Sequence, residues 1–318
     1  MGPLILFGAA LLLGVLLFPS AIGLLARARM GQQIREEGPA AHLGKAGTPT
    51  AGGIVFLLVA TVLYVIADRT AAGGLVVLAL LLGGALGFAD DFAAIRGARN
   101  LGLKARQKIV AQLVIGALLG YLALRWNLTR QLVPFDGVHL LGGGWMIIVG
   151  ALAFAGGSNA FNLTDGSDGL AAGAGAITFG SLALIAILQH RPAAGLMAAA
   201  LAGVLIGFLF YNAFPARIFM GDTGSLALGT ALVAAAIVTG FLWYLPLLAI
   251  VFVIETLSVI AQVASFKMTG KRIIKMSPLH NHFIVSGWRE TRIAAAFWAG
   301  SAAAAILSLL IARPGSAG

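Results

Sequence analysis

Five aspartates could carry chemistry in this sequence, because each lies in a short motif rich in glycine, amide or hydroxyl residues. Mg²⁺ in proteins is typically held by one or two carboxylates together with the phosphates of a substrate. Carboxylates beside hydrocarbon are costly unless a cation compensates their charge. The motifs therefore predict a metal-dependent site that handles phosphates. The five residues are Asp90, Asp91, Asp165, Asp168 and Asp222.

The first motif, Gly87 to Phe92, contains the adjacent pair Asp90 and Asp91. Neighbouring residues in a helix point about 100° apart, so both carboxylates face one pocket only where the helix ends. The predicted membrane span ends at position 90, and we therefore expect both side chains to reach the site. The plainer alternative is a solvated helix terminus.

The second motif has polar side chains at every third position from Asn159 to Asp168. This spacing aligns them on one face of a helical turn, and Gly166 and Gly169 let the backbone approach a ligand closely. Amide and carboxylate groups together suit a nucleobase, a ribose or a sugar. The alternative is that these residues cap the next helix, although capping needs only one of them.

The third motif, Phe219 to Ser225, lies just before a predicted span. Backbone amides next to its glycines, with the hydroxyls of Thr223 and Ser225 at a helix N-terminus, predict a phosphate cradle. Asp222 would then hold the metal. Taken alone, the motif is also an ordinary turn with a helix cap, but its place opposite the aspartate pair favours the site.

Two histidines, His280 and His282, lie in the most basic connection of the chain. They share a side only if the backbone is extended, which Pro278 upstream favours. Because no third nitrogen ligand and no cysteine lie nearby, contact with phosphate is favoured over a zinc site.

Glu255 lies inside a predicted span. An ionisable group at such a position is a functional candidate by default. The alternative is a buried structural partner for Ser258 or Gln262.

The elements that must position these groups are strongly apolar. Hydrophobic residues make up 60% of the 318 positions and charged residues 10%, against about 25% charged in soluble domains. Apolar stretches near the roughly 20 residues that cross a bilayer recur along the chain. We therefore predict an all-α polytopic integral membrane protein that forms a single domain over residues 1–318. The absence of cysteine excludes disulfides, thiolate nucleophiles and cysteine-ligated metals. The ten predicted spans are 4–26, 50–67, 73–90, 106–124, 143–161, 169–189, 193–213, 225–241, 243–264 and 292–312.

The basic residues predict how these spans are oriented. Of the 21 lysines and arginines, 16 lie in connections after odd-numbered spans and 5 lie on the opposite side. The positive-inside rule places the larger group in the cytoplasm, so both termini face outward and the five aspartates lie at the cytoplasmic face. Topology and anionic lipid explain the net charge of +10 without nucleic acid. The longest outer connection, from Arg125 to Gly144, predicts a short hairpin.

Taken together, the motifs resemble those of the phospho-N-acetylmuramoyl-pentapeptide transferases, in the superfamily of polyprenyl-phosphate N-acetylhexosamine-1-phosphate transferases. The resemblance runs nearly end to end, with the motifs in the order of the family. In the histidine loop, Asn281 replaces the middle of three consecutive histidines and Ile284 replaces an acid. These departures bear on sugar or peptide preference more than on the type of reaction. The resemblance rests on Thr48–Gly53, Asp90–Asp91, Asn159–Gly169, Phe219–Ser225, Glu255–Ser258 and Ser277–Phe283.

The resemblance implies transfer of phospho-N-acetylmuramoyl-pentapeptide from UDP-MurNAc-pentapeptide to undecaprenyl phosphate, which gives lipid I and UMP. It implies a multi-pass protein of the bacterial cytoplasmic membrane whose site faces the cytoplasm, with Mg²⁺ as cofactor, membrane lipid as a partner and a homodimer as an admissible assembly. By the same resemblance, Asp222 holds the metal with Asp90 and Asp91, and these three act in catalysis with His280. The implied substrate-binding residues are Lys45, Thr50, Lys108, Asn162, Asp165, Asp168, Asn212, Phe219, Gln262 and His282, with Phe219 stacking on uracil.

Two other functions stay open on the sequence. A related polyprenyl-phosphate GlcNAc-1-phosphate transferase would differ in its sugar. A transporter or flippase of an anionic lipid or nucleotide sugar belongs to a different class, but its site would lie near the bilayer midplane between repeats. Here the acids lie at helix ends and no repeat is visible.

Two mechanisms are also open: a covalent intermediate on an aspartate, or direct attack by the lipid phosphate. A phosphate monoester has a second pKa near 6 and is mostly ionised at pH 7, so proton removal contributes little. This favours direct attack.

Overall fold

The structure is a computed structural model that describes residues 1–28, 30–31, 45, 47–96, 102–134 and 137–311. Within these residues, nine helices are long and apolar enough to cross a membrane. The second predicted span corresponds to a shorter apolar helix, Gly53–Asp68. Every predicted span therefore coincides with a helix, and the all-α polytopic class is confirmed.

The helices follow one another with short connections, and one hairpin interrupts them. Helix α2 continues as a π-helical turn, Tyr64–Asp68, and a 3₁₀ turn, Pro192–Gly195, precedes α7. The elements are α1 Pro3–Arg27, α2 Gly53–Leu63, α3 Ala71–Arg96, α4 Ala105–Arg125, β1 Arg130–Val133, β2 Gly137–Leu140, α5 Gly144–Thr164, α6 Leu170–Leu188, α7 Leu196–Asn212, α8 Gly221–Thr239, α9 Leu245–Leu248, α10 Ile250–Thr269, α11 Leu279–Val285 and α12 Glu290–Ile311.

The predicted hairpin is present between α4 and α5. Strands β1 and β2 pair in antiparallel register, with Arg130 opposite Leu140 and Val133 opposite Gly137. Its buried glutamine, Gln131, donates to the carbonyl of Ile237 near the end of α8, which fixes the hairpin to the bundle.

Helix α8 forms the centre of the bundle, because every residue from Thr223 to Thr239 is buried. It packs against α2, α3, α5 and α6, while α7 packs between α1 and α6. Helices α1 and α10 instead expose long apolar side chains on one side, as lipid-facing helices do. The site therefore depends on what surrounds the N-terminus of α8.

Glycines bring α8 close to its neighbours at that N-terminus. A Cβ at Gly87 of α3 would overlap the carbonyl of Asp222, and one at Gly53 of α2 would overlap Gly224. Small residues at helix contacts allow backbones to approach within membranes. These two positions place the ends of α2, α3 and α8 side by side.

Several predicted boundaries differ from the structure by a few residues, and two of these differences affect the site. Helix α3 continues to Arg96 and does not end at position 90, and α8 begins at Gly221 and not at 225. Asp91 therefore lies inside a regular helix, while Asp222 lies in the first turn of one.

Candidate functional site

Asp91 caps the N-terminus of α8. Its Oδ1 accepts from the backbone N–H of Asp222 at 3.0 Å, and its Oδ2 accepts from the N–H of Thr223 at 3.0 Å and from the Thr223 hydroxyl at 2.6 Å. The first N–H groups of a helix have no partner within the helix, so a carboxylate there is favourable. The amides that the sequence predicted as a phosphate cradle are thus already bonded to Asp91.

Asp90 turns to a different neighbour, because α3 continues past it and adjacent side chains diverge. Its Oδ1 accepts from the N–H of Leu103 at 2.8 Å, and its Oδ2 lies 3.3 Å from Nζ of Lys108 on α4. Both carboxylates still reach Asp222, Asp91 through its backbone N–H and Asp90 through Lys108, although α3 does not end between them as predicted. The pair connects α3 to two different elements.

Lys108 lies between Asp90 and Asp222. Its ammonium is 2.6 Å from Oδ2 of Asp222, and Asn162 of α5 donates to the other oxygen of Asp222 at 2.8 Å and to the hydroxyl of Ser225 at 2.8 Å. We call Lys108, Asp90, Asp222 and Asn162 the Lys108 cluster. Four helices, α3, α4, α5 and α8, each contribute one of its members.

A second cluster has Lys45 at its centre. The Lys45 ammonium lies 2.6 Å from Oδ1 of Asp168 and 2.6 Å from Oε2 of Glu290, the first residue of α12. The same Glu290 oxygen accepts from the hydroxyl of Ser167 at 2.9 Å and from the N–H of Asp168 at 3.0 Å. Oδ2 of Asp168 accepts from the N–H of Ala216 at 2.9 Å. Lys45, Asp168 and Glu290 form the Lys45 cluster.

Sequence reasoning missed Glu290. The available signal was an acid at the start of the last predicted span, but its partners are more than 120 positions away in the chain. Only the fold reveals that it fixes the turn between α5 and α6.

Asp165 lies between the two clusters, in the turn after α5. No described residue donates a hydrogen bond to its carboxylate or pairs with it, so it differs from the four other motif aspartates. Burial raises the pKa of Asp165 well above its ordinary value, and the carboxylates of Asp222, Asp91 and Asp168 raise it further, against a smaller opposite effect of Lys45. The site thus holds more negative charge than its two lysines neutralise.

The segment before α8 is tied to the turn after α5. The Asn212 amide accepts from the N–H of Gly169 at 3.1 Å and donates to the carbonyl of Ile218 at 2.9 Å. The centroid of the Phe219 ring lies 6.0 Å from Nζ of Lys45, at the limit for a cation–π contact. Thr50 is buried, and its hydroxyl lies so close to Gly221 that a Cβ on that glycine would crowd it.

The histidine loop forms helix α11, so the extended backbone expected there was wrong, and its two histidines point to different partners. The His280 ring is buried against Glu255, with Nδ1 3.0 Å from Oε2, and the His280 backbone N–H donates to Oε1 at 3.0 Å. His282 accepts through Nδ1 from the N–H of Lys275 at 3.2 Å. Glu255 therefore pairs with a histidine, and neither Ser258 nor Gln262 bonds to its carboxylate.

Gln262 serves the same loop. Its Oε1 accepts from the N–H groups of Ile273 and Ile274, and its Nε2 donates to the carbonyl of Ile274. Of the predicted substrate-binding residues, Gln262 and His282 thus lie against the 273–275 backbone, apart from both lysine clusters.

The donor chemistry of the Lys108 cluster suits a hard cation. In the part of the chain that the structure describes, no three histidine, aspartate or glutamate side chains converge as a complete metal site. However, carboxylate oxygens of Asp90 and Asp222 already hold a cation, the Lys108 ammonium. Because Mg²⁺ takes oxygen ligands and leaves positions for substrate phosphates, one or two such carboxylates fit it.

Comparison with known proteins gives a consistent result. A family model described as glycosyl transferase family 4 matches residues 73–240. A phospho-N-acetylmuramoyl-pentapeptide-transferase of Desulforudis audaxviator is 45% identical, over 96% of this chain and 97% of its own length. Proteins of the same name from Desulforamulus reducens and Heliobacterium modesticaldum are each 46% identical, over 96% and 97% of this chain and 94% and 97% of their own lengths.

Proposed function

This chain belongs to the phospho-N-acetylmuramoyl-pentapeptide transferase family, and from that membership we propose that it transfers phospho-N-acetylmuramoyl-pentapeptide from UDP-MurNAc-pentapeptide to undecaprenyl phosphate. The products are lipid I and UMP. The observation that carries the proposal is the Lys108 cluster, in which carboxylates, an ammonium group and an amide converge at the N-terminus of the most buried helix.

The reaction brings together a phosphate monoester and a diphosphate, which repel each other. A preorganised arrangement of positive groups lowers that repulsion in the transition state. Lys108 supplies one such group, and the carboxylates on either side of it orient its ammonium. Asn162 fixes the other face of Asp222, so the carboxylate is held before any substrate arrives.

We propose Mg²⁺ as the cofactor, held by Asp222 with Asp90. Asp91 supports the site by keeping α8 and Asp222 in place. The metal ion would neutralise phosphate charge and polarise the reacting diphosphate. Its donors would be carboxylate oxygens of Asp222 and Asp90, between which the Lys108 ammonium lies.

Direct attack by the lipid phosphate is the mechanism we propose. Both oxygens of Asp91 accept hydrogen bonds from α8, which leaves it poorly suited to act as a nucleophile. The lipid phosphate is mostly ionised at pH 7 and needs little general-base assistance. Asp90 and Asp222 then organise charge and form no covalent intermediate.

The nucleotide would bind along the turn after α5. Asp165 has no partner among the described residues, and its carboxylate can accept hydrogen bonds from a nucleoside. Phe219 offers an aromatic face beside Lys45, which suits a base next to a phosphate. His280, whose Nε2 lies against Gly166 of this turn, would contact the phospho-sugar there.

We further propose that this end of the bundle faces the cytoplasm and that both termini lie outside. The support is the distribution of lysine and arginine, 16 against 5, under the positive-inside rule. A homodimer, suggested by the resemblance alone, stays a prediction.

The test is release of UMP by the purified chain with undecaprenyl phosphate and either UDP-MurNAc-pentapeptide or UDP-GlcNAc, with Mg²⁺ or with excess chelator. We expect release with the first nucleotide sugar only, and loss of that release in chelator that added Mg²⁺ restores. Faster release from UDP-GlcNAc would assign the chain to the related GlcNAc-1-phosphate transferases. Unchanged release in chelator would remove the metal from the proposal.

A further inference from the structure

The most unusual charged group outside the two lysine clusters is Glu255. It lies within α10, a membrane-spanning helix, and it is 0% exposed. A buried carboxylate is unfavourable unless it is paired and hydrogen-bonded. Among the described residues, the only one that bonds to the Glu255 carboxylate is His280, which is itself 1% exposed.

Glu255 holds His280 by two bonds that act in different ways. Oε1 accepts from the backbone N–H of His280 and so fixes the start of α11 against α10. Oε2 lies 3.0 Å from Nδ1 and so fixes the orientation of the ring, and a carboxylate at this position favours the tautomer that carries its hydrogen on Nδ1. Nδ1 is thereby used, and Nε2 is the ring nitrogen left for other partners.

Nε2 of His280 faces the turn that follows α5. A Cβ placed on Gly166 would overlap Nε2, which means that the imidazole lies directly against that glycine. Gly166 is adjacent to Asp165 and two positions from Asp168. Because Gly166 has no side chain, the imidazole can reach the turn that carries Asp165 and Asp168.

We propose that Glu255 is a positioning residue for the transfer reaction: it holds His280 so that Nε2 is presented to the phospho-sugar at the turn between α5 and α6. This inference rests on the proposed function. Glu255 never touches the substrate, and it acts through the orientation and tautomer of His280 alone. A partner carboxylate that fixes ring orientation in this way is known to matter for histidines that bind ligands.

Glu255→Gln is the sharpest variant, because it keeps the size of the side chain. The amide oxygen can still accept from the His280 backbone N–H, but the NH₂ group would face Nδ1. The ring must then carry its hydrogen on Nε2, which reverses what it presents to the substrate. We expect kcat to fall by about ten- to hundredfold, with the KM for undecaprenyl phosphate unchanged.

A double-mutant cycle separates positioning from a purely structural role. If Glu255 acts only through His280, Glu255→Gln added to His280→Gln lowers kcat no further, because interacting residues are not additive. If the fold decreases in kcat of the two single variants multiplied in the double variant, the proposal would be overturned. Full activity of Glu255→Gln would overturn it as well. The matched control is Thr256→Val on the same helix, whose hydroxyl bonds only within α10, and we expect it to keep full activity.

Gly166→Ala tests the contact between His280 Nε2 and Gly166, and it is informative even if the Glu255→Gln variant does not fold. The added methyl group would displace the imidazole, so we expect a loss of kcat comparable with that of His280→Gln. Full activity of Gly166→Ala would contradict the placement of Nε2. Failure of the unmodified chain to release UMP would refute the proposed function itself, whereas an active parent with active variants would refute only the role of Glu255.

Discussion

The two lysine clusters have similar compositions but different connections. In each, one ammonium group lies between two carboxylates. In the Lys45 cluster, the Glu290 oxygen that faces the lysine also accepts from the backbone N–H of Asp168, and the other oxygen of Asp168 accepts from the N–H of Ala216, so the two carboxylates shape the turn after α5 and the segment before α8. In the Lys108 cluster, neither oxygen that faces the lysine accepts from a described backbone N–H, because the N–H of Leu103 binds the other oxygen of Asp90.

This difference indicates that the two clusters have different roles. Oxygens that bind only an ammonium can exchange it for another cation or share it with a phosphate, whereas oxygens that also accept from backbone groups fix a conformation. The Lys108 cluster is therefore suited to the reacting phosphates. The Lys45 cluster is suited to shaping the surface that binds the nucleotide.

The largest expected effect is that of Asp222→Asn in the Lys108 cluster. The substitution keeps the shape of the side chain but removes the charge that orients Lys108 and favours a divalent cation. We expect UMP release to fall by about 10³-fold or more. Asp68→Asn, beyond the end of α2 that lies away from the N-terminus of α8, is the control and should leave the rate unchanged. Full turnover of Asp222→Asn at ordinary Mg²⁺ would show that the Lys108 cluster does not carry the reaction.

A smaller and more selective effect is expected for Asp168→Asn in the Lys45 cluster. Loss of its charge frees Lys45 from one of its two partners and loosens the turn after α5. The KM for the nucleotide sugar should rise by about tenfold, which corresponds to about 1.4 kcal/mol, while the KM for undecaprenyl phosphate stays the same. Equal changes in both KM values would contradict a nucleotide-specific role.

The smallest effect concerns stability and involves Asp165, between the clusters. Its raised pKa means that the folded state favours the protonated acid. Below the ordinary pKa both folded and unfolded states are protonated, and the group contributes nothing. As the pH rises, the unfolded state ionises first, so the folded state is penalised increasingly until the raised pKa is passed.

Asp165→Asn removes that penalty. In the absence of substrate, we expect Tm to increase by about 2–4 °C at high pH, and the advantage over the parent to shrink as the pH is lowered. Thermal unfolding of both proteins between pH 5 and 9 measures this. If the difference in Tm between the two proteins were constant across the range, or grew on acidification, ionisation of Asp165 would not destabilise the folded state.

Local sequence patterns predicted the elements of the fold well. Apolar length located every span, and the turn residues between Arg125 and Gly144 predicted the hairpin. The predicted ends of the helices were less accurate, because a helix can continue through polar residues whose side chains are hydrogen-bonded to other elements. Asp91 stays helical in α3 since α8 supplies donors for its carboxylate.

The types of the site residues were also predictable, but their partners were not. Nothing near Asp222 in the sequence indicates Lys108, which lies 114 positions away, and nothing near Lys45 indicates Glu290. Glu255 was recognised as a candidate from its span, yet its histidine partner is 25 positions away and on another helix. Such pairings are set by helix packing, which local periodicity does not specify.

The most direct test of phospho-sugar transfer uses radiolabelled UDP-MurNAc-pentapeptide and the purified chain in liposomes that contain undecaprenyl phosphate and Mg²⁺. Lipid-extractable label and UMP are measured together. A phospho-sugar transferase predicts one lipid-linked product for each UMP released. Movement of intact UDP-MurNAc-pentapeptide across the bilayer, without UMP and without labelled lipid, would contradict transferase activity and identify a transporter.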